Sequence, residues 1–173
     1  MYSSPAAPWS TVLKIMSAIS TVILVGVAYA AWKVVPATGL AHSVGTAVAL
    51  VPLSVLLVAL LFVVAGYEID GTALRVRRLL WSTTVELEGL TRAWEDLNVI
   101  RGSVRVFGNG GLYSFSGTFW SRRLGRYRLF ATDLKRCVVL LTRARTVVVS
   151  PADPDAFLQQ IQALFPGVEG GER

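Results

Sequence analysis

Gly45–Gly66, GTAVALVPLSVLLVALLFVVAG, contains no charged side chain, and its one proline, Pro52, lies in the first half. Crossing a bilayer's hydrocarbon core takes roughly 20 apolar residues in a helix, since only a helix or a closed barrel satisfies its own backbone there. A helix at the surface of a soluble domain keeps a polar face, and no polar face interrupts this run. The stretch reads as a membrane-spanning helix. The remainder of the chain is organised around it.

Working backwards, Ile15–Trp32 (IMSAISTVILVGVAYAAW) is uncharged throughout and long enough for a first span. The alternative is a secretory signal peptide, because Ala28-Tyr29-Ala30 has the small-x-small cleavage pattern. A signal peptide starts with a positive segment, whereas here Lys14 follows a long uncharged leader. Lys33–Val44 joins the two spans, with Pro36 and Gly39 as helix breakers and Trp32 and Lys33 as an interfacial aromatic and snorkelling pair. Ser17, Ser20 and Thr21, with Gly26 and Ala30, form a small-residue face expected to pack the hairpin against itself. The preceding leader, residues 1–11, contains Pro5, Pro8 and several serines and is expected to be flexible, with Trp9 as an interfacial anchor.

Charge divides the chain at Gly66. All 11 acidic residues lie beyond it, as do 15 of the 17 lysines and arginines; only Lys14 and Lys33 come earlier. The charged part has about a hundred residues, an ordinary domain size. Arg75, Arg77 and Arg78 follow the second span closely while the connecting loop has only Lys33, so the positive-inside rule places both termini in the cytoplasm of a multi-pass inner (plasma) membrane protein. The net charge of +6 points to anionic headgroups rather than nucleic acid as the nearer partner of a membrane-attached domain. Cys137 is the only cysteine, which excludes an intrachain disulfide and a cysteine-based metal site.

Beyond Gly66 the apolar period changes to two. Tyr67–Leu80 reads as a hairpin turning at Asp70-Gly71, followed by strands near Trp81–Leu87, Leu90–Asp96, Leu112–Phe119, Arg126–Thr132, Arg136–Thr142 and Arg145–Ser150. The glycines of Arg101–Gly111 place a loop around 108–111. Ser150 or Asp153 then caps a helix with Pro154 in its first turn, and Phe157, Leu158, Ile161, Leu164 and Phe165 make its apolar stripe. Pro166-Gly167 stops it, and residues 166–173 are read as a loose tail. The expected boundaries are thus spans at about 12–32 and 45–66, a hairpin over 12–66 and a folded domain over 67–165.

About seven strands ending in one amphipathic helix resembles a pleckstrin-homology (PH)-like sandwich. The resemblance is carried by YEIDGTALRVRR (Tyr67–Arg78), FSGTFWSRRLGRYRLFATD (Phe115–Asp133) and RTVVVSPADPDAFLQQI (Arg145–Ile161). The chain is similar to bacterial PH domains that follow a pair of membrane helices. That resemblance implies an antiparallel sandwich closed by its terminal helix, serving binding and assembly rather than catalysis. It departs from lipid-binding eukaryotic relatives at the first loop, Asp70-Gly71, which is minimal and acidic where inositol-phosphate binders carry basic residues.

Arg122, Arg123, Arg126 and Arg128, with Trp120 and Phe119 beside them, form the densest basic cluster. It suits contact with headgroups or a partner, the alternative being a solvated strand-turn-strand edge whose cations protect an open sheet. Arg75, Arg77 and Arg78 are read as topology determinants. Gly108, Asn109, Gly110 and Gly111 offer a candidate anion nest, with a simple turn as the commoner explanation. Glu95 and Asp96 point to opposite faces of a strand and read as a solvated edge, and His42 is remote from Cys137 and the acids, so no catalytic site is expected. No cofactor or metal is implied. The expected partners are membrane lipids and another membrane protein or further copies of this chain, with a protein-binding scaffold as the first reading and an anionic-lipid or envelope-stress sensor as the second.

Overall fold

The computed structural model describes residues 2–35 and 38–170. Two long helices precede a β-sandwich. The first, α1, is Thr11–Lys33, and the second, α2, is Leu40–Leu61. At 1.5 Å per residue each is about 33 Å long, sufficient to cross a membrane. Only 17% and 22% of their most apolar windows are buried, so most of their apolar surface faces outwards. The apolar positions they do bury include Leu13, Ala28, Ala49, Leu56 and Ala59. Lys33 places its Nζ 5.4 Å from the Tyr29 ring centre at the far end of α1.

The second helix starts and ends about five residues earlier than its hydropathy suggests, because its end is defined by capping. The Phe62 carbonyl accepts hydrogen bonds from Arg78 Nη1 (2.5 Å) and Ser114 Oγ (3.1 Å), and the chain then passes directly into a strand. These groups satisfy a helix-terminal carbonyl that the helix itself leaves without a partner.

One sheet contains β1 (Tyr2–Pro5), β2 (Gly66–Asp70), β3 (Ala73–Arg77) and β4 (Ser82–Glu86), antiparallel and in that order. The β2–β3 hairpin turns at Gly71, whose φ of +58° lies in the left-handed region that glycine adopts freely. The second sheet is formed by β5 (Leu90–Glu95), β6 (Ser103–Gly110), β7 (Phe115–Ser121), β8 (Gly125–Ala131), β9 (Val138–Thr142), β10 (Thr146–Val149) and β11 (Glu169–Gly170), in the order β11-β5-β9-β10-β8-β7-β6. The expected sandwich is present, but with nine strands between Gly66 and Val149, and β8–β10 is a parallel pair.

Period-two patterning divides the second sheet's side chains between two cores. Val138, Leu140, Val147, Val149 and Phe130 face the first sheet and the closing helix α3 (Pro154–Leu164), meeting Tyr67, Ile69, Leu74, Val76, Val85, Phe157 and Ile161. Tyr127, Leu129, Ala131, Val139 and Val148 face the other way, where Leu13 at the start of α1 is completely buried among them. Asp153 caps α3 by accepting from the Ala156 amide at 3.0 Å. Ser150, the other candidate cap, instead accepts from the Thr132 amide at 2.8 Å.

Three expectations for irregular segments are corrected. The leader expected to be flexible over residues 1–11 is ordered from residue 2 onwards, residue 1 lying outside the described residues: Tyr2–Pro5 pairs with Gly66–Ile69, Ala7 donates to Ser150 O at 2.8 Å, and Thr132 Oγ1 donates to Ala7 O at 2.6 Å. The edge of β2 leaves backbone groups to be paired, and this segment pairs them. The stretch expected to loop at 108–111 carries β6 up to Gly110. There Gly108 (φ +116°) stands opposite Gly117, and a Cβ on either would strike the other strand's backbone. In the tail, Glu169–Gly170 adds a parallel strand beside Arg92–Ala93; residues 171–173 lie outside the described residues.

Candidate functional site

The groove that joins the two parts of the molecule is built from the residues around Arg78. Strand β3 ends at Arg77, and Arg78 turns inwards, only 8% exposed. Its guanidinium forks to three acceptors: Thr83 Oγ1 at 3.1 Å, Phe62 O at 2.5 Å and Ser116 Oγ at 3.0 Å. It also lies 5.1 Å from the Phe62 ring centre and 5.5 Å from that of Phe130. Among the described residues no carboxylate pairs with it. Burial lowers its pKa, and the nearby positive charge of Arg128 lowers it further.

Arg78 is therefore more than a topology signal. It is a cation pinned to the carboxyl-terminal end of α2, where the helix dipole is negative. Its sequence neighbours remain outside: Arg75 pairs with Asp70 at 3.3 Å and Arg77 with Glu68 at 3.2 Å. Between Arg78 and β4 the turn exposes Leu79, Leu80 and Trp81, and the Trp81 ring meets Phe62 edge-on at 5.0 Å. An apolar tip thus lies beside the end of the second long helix.

The groove runs along α2 with a volume of about 660 Å³, within the size range of small-ligand sites. Val51, Val55, Val58 and Ala59 of α2 form one wall; Gly108, Gly117, Thr118 and Ser116 of β6 and β7 form another; Arg78, Arg128 and Phe130 close its polar end. None of the residues lining it is acidic. Arg128 places its guanidinium carbon 5.1 Å from the Phe130 ring centre and also borders a smaller niche with Arg126 and Arg145.

The basic cluster expected over Arg122–Arg128 does not act as one patch. Arg123 pairs with Asp96, which is buried rather than on a solvated edge and also accepts from the Asn98 amide at 2.9 Å. Arg122 is exposed, and Arg126 pairs across the strands with the half-exposed Trp120. Only Arg128 of the four reaches the groove. The strands explain this separation: Arg126 and Arg128 project from one face of β8, while Arg122 and Arg123 occupy the hairpin turn.

The glycine-rich segment is not an available anion nest. Asn109 Oδ1 accepts from the amides of Gly111 (3.2 Å) and Leu112 (2.9 Å), occupying the donors an anion would need. This rigid hairpin end docks on α1: Ser17 Oγ donates to Gly111 O at 3.3 Å and accepts from the Tyr113 amide at 2.9 Å, and Thr21 Oγ1 lies 2.8 Å from Tyr113 Oη. Ser17 and Thr21 thus bind the sandwich instead of packing the helices together. Trp9 packs against the Tyr113 ring, 6.0 Å away. Cys137 is buried and donates to Asp133 O at 3.4 Å; burial raises its thiol pKa.

Sequence reasoning missed Arg145, Ser116 and the α2 wall because their convergence depends on strand order. The fold and the groove together define a PH-like module attached to two helices long and apolar enough to cross a membrane. The bacterial PH domain family model matches residues 65–164, and the chain belongs to that family. No curated protein and no solved structure matches it.

Proposed function

We propose that the protein is an integral inner-membrane binding module in which the groove between α2 and β6–β8 receives the ligand. The helix pair crosses the membrane with both termini cytoplasmic, and the sandwich sits at the cytoplasmic surface. In support, Leu13 near the start of α1 and Phe62 at the end of α2 both contact the sandwich, so both helices approach it from the same side. The exposed Leu79-Leu80-Trp81 tip beside Phe62 suits insertion at the interface.

The observation that carries the reading is the acid-free groove with a buried arginine at its polar end. A photo-crosslinking residue at Thr118, inside the groove, is expected to form adducts in native membranes that are absent when it replaces Glu86 on β4. Equal labelling from both positions, or none from Thr118, overturns the groove as the binding surface.

A second reading, a scaffold for a protein partner or another copy, rests on β6. This is the edge strand of its sheet, and Val104, Val106 and Phe107 are 63%, 56% and 79% exposed. An exposed apolar edge is a template for strand addition. Because Cys137 is buried, Val106→Cys supplies a single reactive thiol. Disulfide-linked dimers in the membrane support self-pairing, and a monomer under oxidation removes it.

A further inference from the structure

We infer that the groove binds a single anionic phospholipid, with an acyl chain along α2 and its phosphate between Arg78 and Arg128. The inference rests on the reading of the groove as the binding surface and adds the chemistry of its occupant. Three observations carry it.

First, the groove is amphipathic along its length. Val51, Val55 and Val58 of α2 present hydrocarbon, whereas Arg78, bonded to the Phe62 carbonyl, and Arg128, beside the same Phe130 ring, lie towards the end of that helix. This polarity has the order of a lipid: tail, then phosphate. The apolar wall belongs to a helix whose remaining faces are mostly exposed and apolar, so a chain leaving the groove stays in the same medium.

Second, the charge is one-signed. Arg78 and Arg128 meet no acidic residue in the lining, and the adjoining niche adds Arg126 and Arg145, again without an acid. Elsewhere on the sandwich Arg75, Arg77, Arg92 and Arg123 each have a carboxylate partner. A buried cation without a carboxylate favours an anion that reaches it, and a phosphate accepts several arginine hydrogen bonds at once.

Third, Arg78 is held in place by fixed acceptors on α2, β4 and β7. A preorganised donor loses little conformational freedom on binding. The glycine pair Gly108–Gly117 leaves the neighbouring wall without side chains, so a chain can approach the strand backbone. This site is separate from the acidic Asp70-Gly71 turn.

The test uses the full-length protein in mild detergent, titrated with phosphatidylglycerol or phosphatidylcholine and read by native mass spectrometry. Phosphatidylglycerol is expected to bind on the order of tenfold more tightly. Arg128→Gln, at an exposed position, should weaken phosphatidylglycerol about fivefold, the effect of one basic residue beside anionic lipid, and leave phosphatidylcholine unchanged. Thr118→Trp, which fills the groove, should remove both adducts while the far-ultraviolet circular dichroism stays that of the parent.

Equal binding of the two lipids, or phosphatidylglycerol binding indifferent to Arg128→Gln, overturns the inference. So does occupancy by inorganic phosphate that equals that of the lipid. If Thr118 photo-crosslinks only a protein, the groove remains the binding surface and the lipid assignment fails. If Thr118 labels nothing, both fail.

Discussion

Arg78 and Arg123 are both arginines beside a turn, yet their surroundings give them different work. Arg123 is 56% exposed in its side chain and pairs with the buried Asp96, an ordinary clamp between a hairpin and a loop. Arg78 is buried, has no carboxylate among the described residues, and joins the end of a long apolar helix to two sheets. A charge placed next to an opposite charge stabilises locally. A charge held by neutral acceptors at a groove remains available to a further anion.

The largest expected effect that tests this contrast is Arg78→Ala. It leaves the Phe62 carbonyl with Ser114 as its remaining side-chain donor, removes the donor to the Thr83 and Ser116 hydroxyls and opens space beneath Phe130, so a loss of about 3 kcal/mol is expected. Arg78→Lys should recover only part, since an ammonium cannot span the same three acceptors. Urea unfolding in detergent measures both. A loss below about 1 kcal/mol would show that Arg78 does not bolt the helix to the sandwich.

Raising the pH probes the interior beneath the same region. Tyr67 is buried, donates to Phe130 O at 2.6 Å, and is held above its ordinary value of 10.0 by burial; Cys137 is held above 9.0 for the same reason. In both cases the unfolded chain releases its proton first. Stability is thus complete below pH 9 and falls as pH rises, by up to about 1.4 kcal/mol per pH unit for each group. Cys137→Ala should delay the onset to near pH 10. A flat stability profile to pH 11 contradicts the burial of both.

Breaking the other side of the comparison should cost less. Asp96→Asn weakens the Arg123 pair while retaining a hydrogen-bonding oxygen, and about 1 kcal/mol is expected, discounted because Arg123 is half exposed. The smallest effect is expected at Arg122→Gln, within about 0.5 kcal/mol in unfolding and without change in lipid binding. A strong loss of phosphatidylglycerol binding from Arg122→Gln would return the site to the hairpin cluster.

The helix pair, most strand positions and the closing helix were legible because their signals are local: apolar length, period-two alternation, and the Asp153–Pro154 start of α3. The same reasoning misread Tyr2–Pro5, whose strand character comes from the free edge of β2 more than sixty residues away. It misread β6 because glycines that ordinarily permit turns here permit two strands to approach at Gly108 and Gly117. Asp96 looked solvated for a related reason: it is buried, and its Arg123 partner comes from the turn between β7 and β8, distant along the chain.

By itself the sequence determined two apolar helices, a charged β-rich domain after them, and a PH-like order of strands and helix, since each depends on neighbours along the chain. Only the tertiary structure decided which arginine is buried, where α2 ends and which residues wall the groove. Those outcomes depend on strand order and on caps donated from distant residues, and a linear pattern contains neither.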